Sequence, residues 1–152
     1  MQQNDASVAA TAHVAGHPLH PTIVPLPIGS FVGAFVADLA FAASRDRFWA
    51  RAARLLTGAG VGTGLAAGAL GAADFLGRER VRDKGIAWVH GGGNLAAVAI
   101  GAASLALRRG DPARAVMPVG LAASGLIVAI LGLTGWLGGE LVFRHRIGVA
   151  RR

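Results

Sequence analysis

Four long stretches of the chain carry almost no charge, and the charged residues fall between them in short clusters. A bilayer core about 30 Å thick needs about 20 mostly apolar helical residues to cross it. The pattern predicts four crossing helices. They run over about Thr22–Ser44, with Asp38 as its only charge, and Leu55–Leu76, uncharged until Asp74. The other two are Ile86–Leu107, uncharged throughout, and Val116–Phe143, uncharged until Glu140. The links Arg45–Arg54, Gly77–Gly85 and Arg108–Ala115 are short, which makes sequential helices antiparallel neighbours. The expected fold class is therefore an all-α integral membrane protein, a four-transmembrane-helix up-down-up-down bundle over residues 17–149. A flexible polar tail is expected over residues 1–16 and a basic end over residues 150–152.

Glycine adds to this picture. Gly60, Gly64 and Gly68 recur every four residues along one stripe of the second helix, and Gly29 and Gly33 do so in the first. Such stripes let helix backbones approach in lipid, where association depends on packing rather than escape from water. None lies between a strand and a helix, so they are not phosphate loops.

Composition and charge agree with a lipid solvent. Hydrophobic residues make up 53% of the chain and charged residues 15%, against roughly 25% charged in a soluble domain. The net charge of +7 is carried almost wholly by arginines between the apolar stretches, where head groups bind them. No basic patch is interleaved with aromatics for stacking, so nucleic acid is not an expected partner. The absence of cysteine excludes disulfides, thiolate metal sites and cysteine nucleophiles. The first 16 residues lack the charged start and apolar centre of a secretory signal.

With four crossings, both termini and the second link share one side, where eight basic residues lie against seven on the other. That balance does not choose an orientation. The first helix has no basic residue before it and Arg45, Arg47, Arg51 and Arg54 after it, which favours a multi-pass inner-membrane protein with its N-terminus outside.

Topology brings polar residues together whichever way the chain faces. His17 and His20 precede the first helix, Asp74 ends the second, His90 and Asn94 open the third, and Glu140 and His145 end the fourth. His13 lies nearby on the tail. Each histidine of Gly16-His17-Pro18-Leu19-His20-Pro21 precedes a proline, and Pro25 and Pro27 follow, so an irregular entry segment is expected there. Gly91, Gly92 and Gly93 leave the helix surface bare beside His90, and Asn94 shares the His90 face. Trp136 is placed to anchor the interface where Glu140 leaves the bilayer, and Arg144 could pair with Glu140. Asp38, at the opposite face, is expected to pair locally with Arg45 or to snorkel.

Four ordered motifs then carry a resemblance. They are His17-Pro18-Leu19-His20-Pro21, Asp74-Phe75, Trp88-Val89-His90-Gly91-Gly92-Gly93-Asn94 and Gly138-Gly139-Glu140-Leu141-Val142-Phe143-Arg144-His145. Over about residues 16 to 149 the chain resembles the DUF2231 family of prokaryotic membrane proteins. The resemblance implies a four-helix membrane domain and places the family motif on His17, His20, Asp74, His90, Asn94, Glu140 and His145. Some relatives carry an appended Rieske-type iron–sulfur domain, which implies electron transfer.

Three readings stay open at this point. A b-type haem could be held by His20 and His90, with Gly91, Gly92, Gly93 and Asn94 shaping its site. A zinc or copper ion could be held by His17, His20 and His90 with Asp74, Glu140 or His145. Alternatively the histidines brace helices in a structural or partner-binding subunit without a cofactor. No serine–histidine–acid pattern points to hydrolysis, so the chain is not expected to be an enzyme by itself. The expected partners are the lipid bilayer and a redox protein or membrane complex; a homodimer is compatible with the glycine stripes.

Overall fold

The computed structural model describes residues 13–15 and 17–147; the remainder of the expected tail and the basic end lie outside the described residues. His13–Val14 (β1) pairs antiparallel with His17–Pro18 (β2), placing Val14 opposite His17. The helices are α1 (Leu19–Ile23), α2 (Pro25–Ser44), α3 (Arg47–Leu76), α4 (Glu79–Arg82), α5 (Gly85–Leu107), α6 (Pro112–Ala115) and α7 (Leu121–Phe143). Among the described residues four spans are long and apolar enough to cross a bilayer: Leu19–Ser44, Arg47–Leu76, Gly85–Leu107 and Pro112–Phe143. The fold is the expected four-helix membrane bundle.

The entry to the first span is more regular than the prolines suggest. Val24 keeps helical dihedrals between α1 and α2, and its N–H donates to the His20 carbonyl at 3.1 Å. Pro21 falls in the first turn of α1 and Pro25 at the first position of α2. At Pro21 no helical hydrogen bond is sacrificed, because first-turn N–H groups have no partner within the helix, while Pro25 interrupts one bond where α1 passes into α2. His20 consequently sits in a helical turn.

The second span begins at Arg47, well before the apolar run. Arg45 turns left-handed at φ 59°, and the Asp46 carboxylate accepts the Phe48 N–H at 2.8 Å, capping α3. The first link is thus only Arg45 and Asp46. At 30 residues, α3 is about 45 Å long and extends past the bilayer core. Hydropathy misses its first turns because Arg47, Arg51 and Arg54 share them with buried Ala50 and Ala53. At the fourth span, Pro118 breaks the ladder. Val116–Gly120 form a wide π-type turn with Met117 at φ −109°, ψ 133° between α6 and α7.

The helices form a ring in which α2 packs on α3 and α7, and α5 on the same two. Large apolar side chains point outward: Leu55 is 74% exposed and Trp136 71%. Small residues fill much of the interior, with Phe31 and Ile127 packed together at its centre. A Cβ built at Gly60 would lie 2.8 Å from the Phe31 ring and one at Gly101 2.7 Å, so both glycines are needed for that ring to lie flat. Gly64 takes Val98 in the same way, whereas Gly68 and Gly29 face open space. The glycine stripe therefore packs over part of its length only.

Candidate functional site

Two histidines dock on neighbouring helices by the same device. His20 places Nδ1 2.8 Å from the Ala67 carbonyl on α3. His90 places Nδ1 2.8 Å from the Thr134 carbonyl on α7. A carbonyl only accepts, so each Nδ1 carries the proton and donates. Four residues beyond each acceptor stands a glycine. A Cβ at Gly71 would fall 2.9 Å from the His20 ring, and one at Gly138 3.0 Å from the His90 ring. The missing side chain lets the imidazole lie on the helix backbone and reach the second lone pair of a carbonyl already used in the helix.

The tautomer follows from this geometry. With Nδ1 protonated, Nε2 of each neutral ring is a lone-pair donor to metals and an acceptor of hydrogen bonds. At His90, Nε2 lies 3.3 Å from Asn94 Nδ2, a long contact, while that amide donates to the His90 carbonyl at 2.9 Å. The Thr134 hydroxyl donates to Asn94 Oδ1 at 3.0 Å, closing a small network between α5 and α7. Nε2 of His20 has no hydrogen-bond partner among the described residues. Both rings are half-buried.

The remaining residues expected at this end do not join them. His17 is exposed and bonds through Nδ1 to Ala15 of its own hairpin at 3.0 Å. Glu140 pairs with Arg144 at 3.1 Å, and His145 is exposed past the end of α7. Asp74 is half-buried and partnered. Among the described residues no group of three or more His, Cys, Asp or Glu side chains is placed to hold a metal ion. Gly91 and Gly92 have nothing within 4 Å of an added Cβ, and only Gly93 is closely approached, by the Thr134 methyl at 2.5 Å. The glycines that receive histidine rings, Gly71 and Gly138, carry no polar atom that sequence inspection would single out.

A second polar cluster lies at the opposite end, and it corrects the expectation for Asp38. Its carboxylate is fully buried and takes two hydrogen bonds from the fully buried Arg108 guanidinium, at 2.8 and 2.7 Å. The Ser124 hydroxyl donates to the same carboxylate at 2.8 Å, and Arg108 Nε donates to Ser104 at 3.2 Å. Arg45, the expected partner, instead ends α2 with its guanidinium 6.0 Å over the Phe41 ring. Helical periodicity explains the choice: Asp38 shares its face with buried Ala34, Ala37 and Phe41, so it points inward across the bundle. Two shallow cavities also open toward this end, around Met117 and Val119, and neither is lined by a histidine.

Comparison with known proteins agrees with this architecture. No curated protein and no solved structure matches the chain. The model of a family described as a predicted membrane protein, DUF2231, matches residues 16–151. Those residues include all four spans and both histidine docks, and the chain belongs to the DUF2231 family.

Proposed function

We propose that this multi-pass membrane protein presents His20 and His90 as a two-histidine ligand pair for a haem-type iron, serving electron transfer at one membrane face. The observation that carries the reading is the shared Nδ1–H to backbone-carbonyl bond, which fixes both rings with Nε2 as the remaining nitrogen. Metal-ligating histidines are characteristically held in this way, because the bond sets the tautomer and raises ligand basicity. Haem iron can be held by as few as one or two protein side chains, whereas a structural zinc site takes four. The described donor set, two imidazoles with their Nδ1 protons committed, suits the first better than the second. When bound, the iron would supply one-electron redox chemistry. The protein's own contribution would be to hold two neutral imidazoles and, through Asn94 and Thr134, to orient the second.

The same hydrogen bonds also favour a purely structural reading, in which the rings tie α1 to α3 and α5 to α7. One preparation separates the two. Protein purified in mild detergent is expected to show a Soret band that shifts on dithionite reduction and disappears in His20→Ala and His90→Ala while both variants stay folded. A featureless spectrum with no bound metal, and both variants less stable, would leave only the ties. Near-stoichiometric zinc or copper on elemental analysis would replace haem by an ion. Size measurement on the same sample reads out a homodimer, which the outward-facing Gly29, Gly62, Gly132 and Gly135 permit.

We place the histidine face and both termini outside the inner membrane, with a redox protein as the partner docking there. Arg108 is neutralised inside the bundle, so the basic residues stand at eight against six. That difference is too small to outweigh the charge step across the first span. Because the chain has no cysteine, a single cysteine introduced after Arg82 should react with a membrane-impermeant maleimide from outside. Protection there, with labelling of one beside Arg47, would reverse the assignment.

A further inference from the structure

The bundle divides into two hairpins, residues 19–76 and 85–143, each an antiparallel pair of spans. In an up-down-up-down bundle the first and third crossings run parallel, as do the second and fourth. A half-turn about the bundle axis then carries one hairpin onto the other, the relation found in proteins built from parallel repeats. The packing obeys that rotation: α2 on α3 corresponds to α5 on α7, and α3 on α5 to α7 on α2.

Residue positions obey it too. His20 bonded to Ala67 over Gly71 is repeated as His90 bonded to Thr134 over Gly138. Buried Pro27, Phe31, Ala34 and Asp38 have buried counterparts 70 residues later at Ala97, Gly101, Ser104 and Arg108. Buried Ala53, Thr57, Gly60 and Ala67 have buried counterparts 67 residues later at Gly120, Ser124, Ile127 and Thr134. Asp46 caps α3 through the Phe48 N–H, and Asp111 caps α6 through the Ala113 N–H.

Where counterparts differ, they are complementary. Asp38 and Arg108 occupy equivalent positions and bond to each other. Phe31 fills the space that its counterpart Gly101 leaves. We infer that the chain is two equivalent histidine-presenting hairpins fused in one polypeptide, and that the surface between them recognises only a hairpin of the opposite kind. Two first hairpins would oppose carboxylate to carboxylate and ring to ring. Two second hairpins would oppose guanidinium to guanidinium across an unfilled gap. The partner this surface fits is the complementary hairpin of its own chain. Each hairpin anchors its own histidine, so the interface only brings two complete units to one end of the bundle.

One further pair gives a specific test. A Cβ at Gly120 would collide with the Ala115 carbonyl oxygen of the kinked turn before α7 and would also lie 2.7 Å from Arg108 Nη2, so the turn and the arginine both call for glycine there. The counterpart in the aspartate-bearing hairpin is Ala53, which is fully buried. In the full-length chain, Asp38→Arg and Arg108→Asp should each lower the folded protein recovered in detergent by at least about tenfold. The exchange Asp38→Arg/Arg108→Asp should restore part of it, and adding Ala53→Gly should restore several-fold more, although Ala53→Gly alone weakens the native protein. An Ala53→Gly change that fails to help the exchanged protein would overturn the inference, as would one that stabilises the native chain equally. Should the charge variants not fold at all, Gly71→Ala and Gly138→Ala decide. Equivalent hairpins predict matching losses in melting temperature that add in the double variant, and one severe and one silent substitution would sink the equivalence.

Discussion

The two ends of this bundle hold their polar groups in opposite ways. At one end neutral histidines bond to backbone carbonyls that the helices already satisfy, and both rings remain partly open to their surroundings. At the other, a carboxylate and a guanidinium are sealed with no exposure and completed by two serines. Removing an imidazole leaves behind a carbonyl that still has its helical N–H. Removing Asp38 or Arg108 leaves an uncompensated charge in an apolar interior, which costs several times more. The sealed end is therefore where the fold is specified, and the open end contributes less to it.

The largest expected effect follows from the sealed end. Arg108→Met should destabilise the bundle by about 3–5 kcal/mol, because the Asp38 carboxylate then stays buried without its cation. Asp38→Leu together with Arg108→Met removes both charges and should return most of that loss. Ser124→Ala, which removes one donor to the carboxylate, should cost about 1.5–3 kcal/mol. Reversible unfolding in mixed detergent micelles measures all three. A double variant as unstable as the single one would mean that the pair contributes through its shape and not by mutual neutralisation.

Much of this architecture is legible in sequence, for reasons that also mark the limits. Spans are set by lipid, and four nearly uncharged stretches such as Ile86–Leu107 announce themselves through length and apolarity. Chain order alone puts His20 and His90 at one end, because an even number of crossings requires it. Hydropathy fails where a helix runs past the bilayer, so the arginine-rich first turns of α3 read as a link. Pairing across 70 residues fails as well: Asp38 has a plausible local partner in Arg45, and only the inward direction of its helix face excludes it. Gly71 and Gly138 act by what they lack, and the repeat is hidden because its two halves are offset by 70 residues in one helix and 67 in the other.

A smaller effect is expected at the open end. His20→Ala and His90→Ala each delete one interhelical hydrogen bond and should cost about 1 kcal/mol in the ligand-free protein. Thr134→Val, which takes the hydroxyl from Asn94 but keeps the backbone carbonyl that holds His90, should cost no more than that. If either histidine variant proved as unstable as Arg108→Met, the contrast between the ends would fail, and the histidines would have to be counted with the residues that specify the fold.

The smallest effect comes from a charged pair that shares the sealed end but not its burial. Arg47 bonds to Asp111 at 2.8 Å, linking the start of α3 to the third connection, with the arginine side chain 63% exposed. Partial desolvation pushes the Asp111 carboxyl up. The Ala113 N–H and the Arg47 guanidinium pull it further the other way, so its pKa sits below the usual 3.8. A depressed carboxylate stabilises the fold above its unfolded value and loses that contribution as pH falls through the folded one. Melting temperature should therefore be insensitive to this group from neutral pH to about 4 and decline only below 3.8. Asp111→Asn should flatten that acid step and lower the melting temperature slightly at pH 7, less so as salt is raised. Asp38 and Asp111 are both aspartates paired with arginine at the same membrane face, so a small, salt-sensitive loss at Asp111 beside a large one at Asp38 would assign the difference to burial rather than to charge.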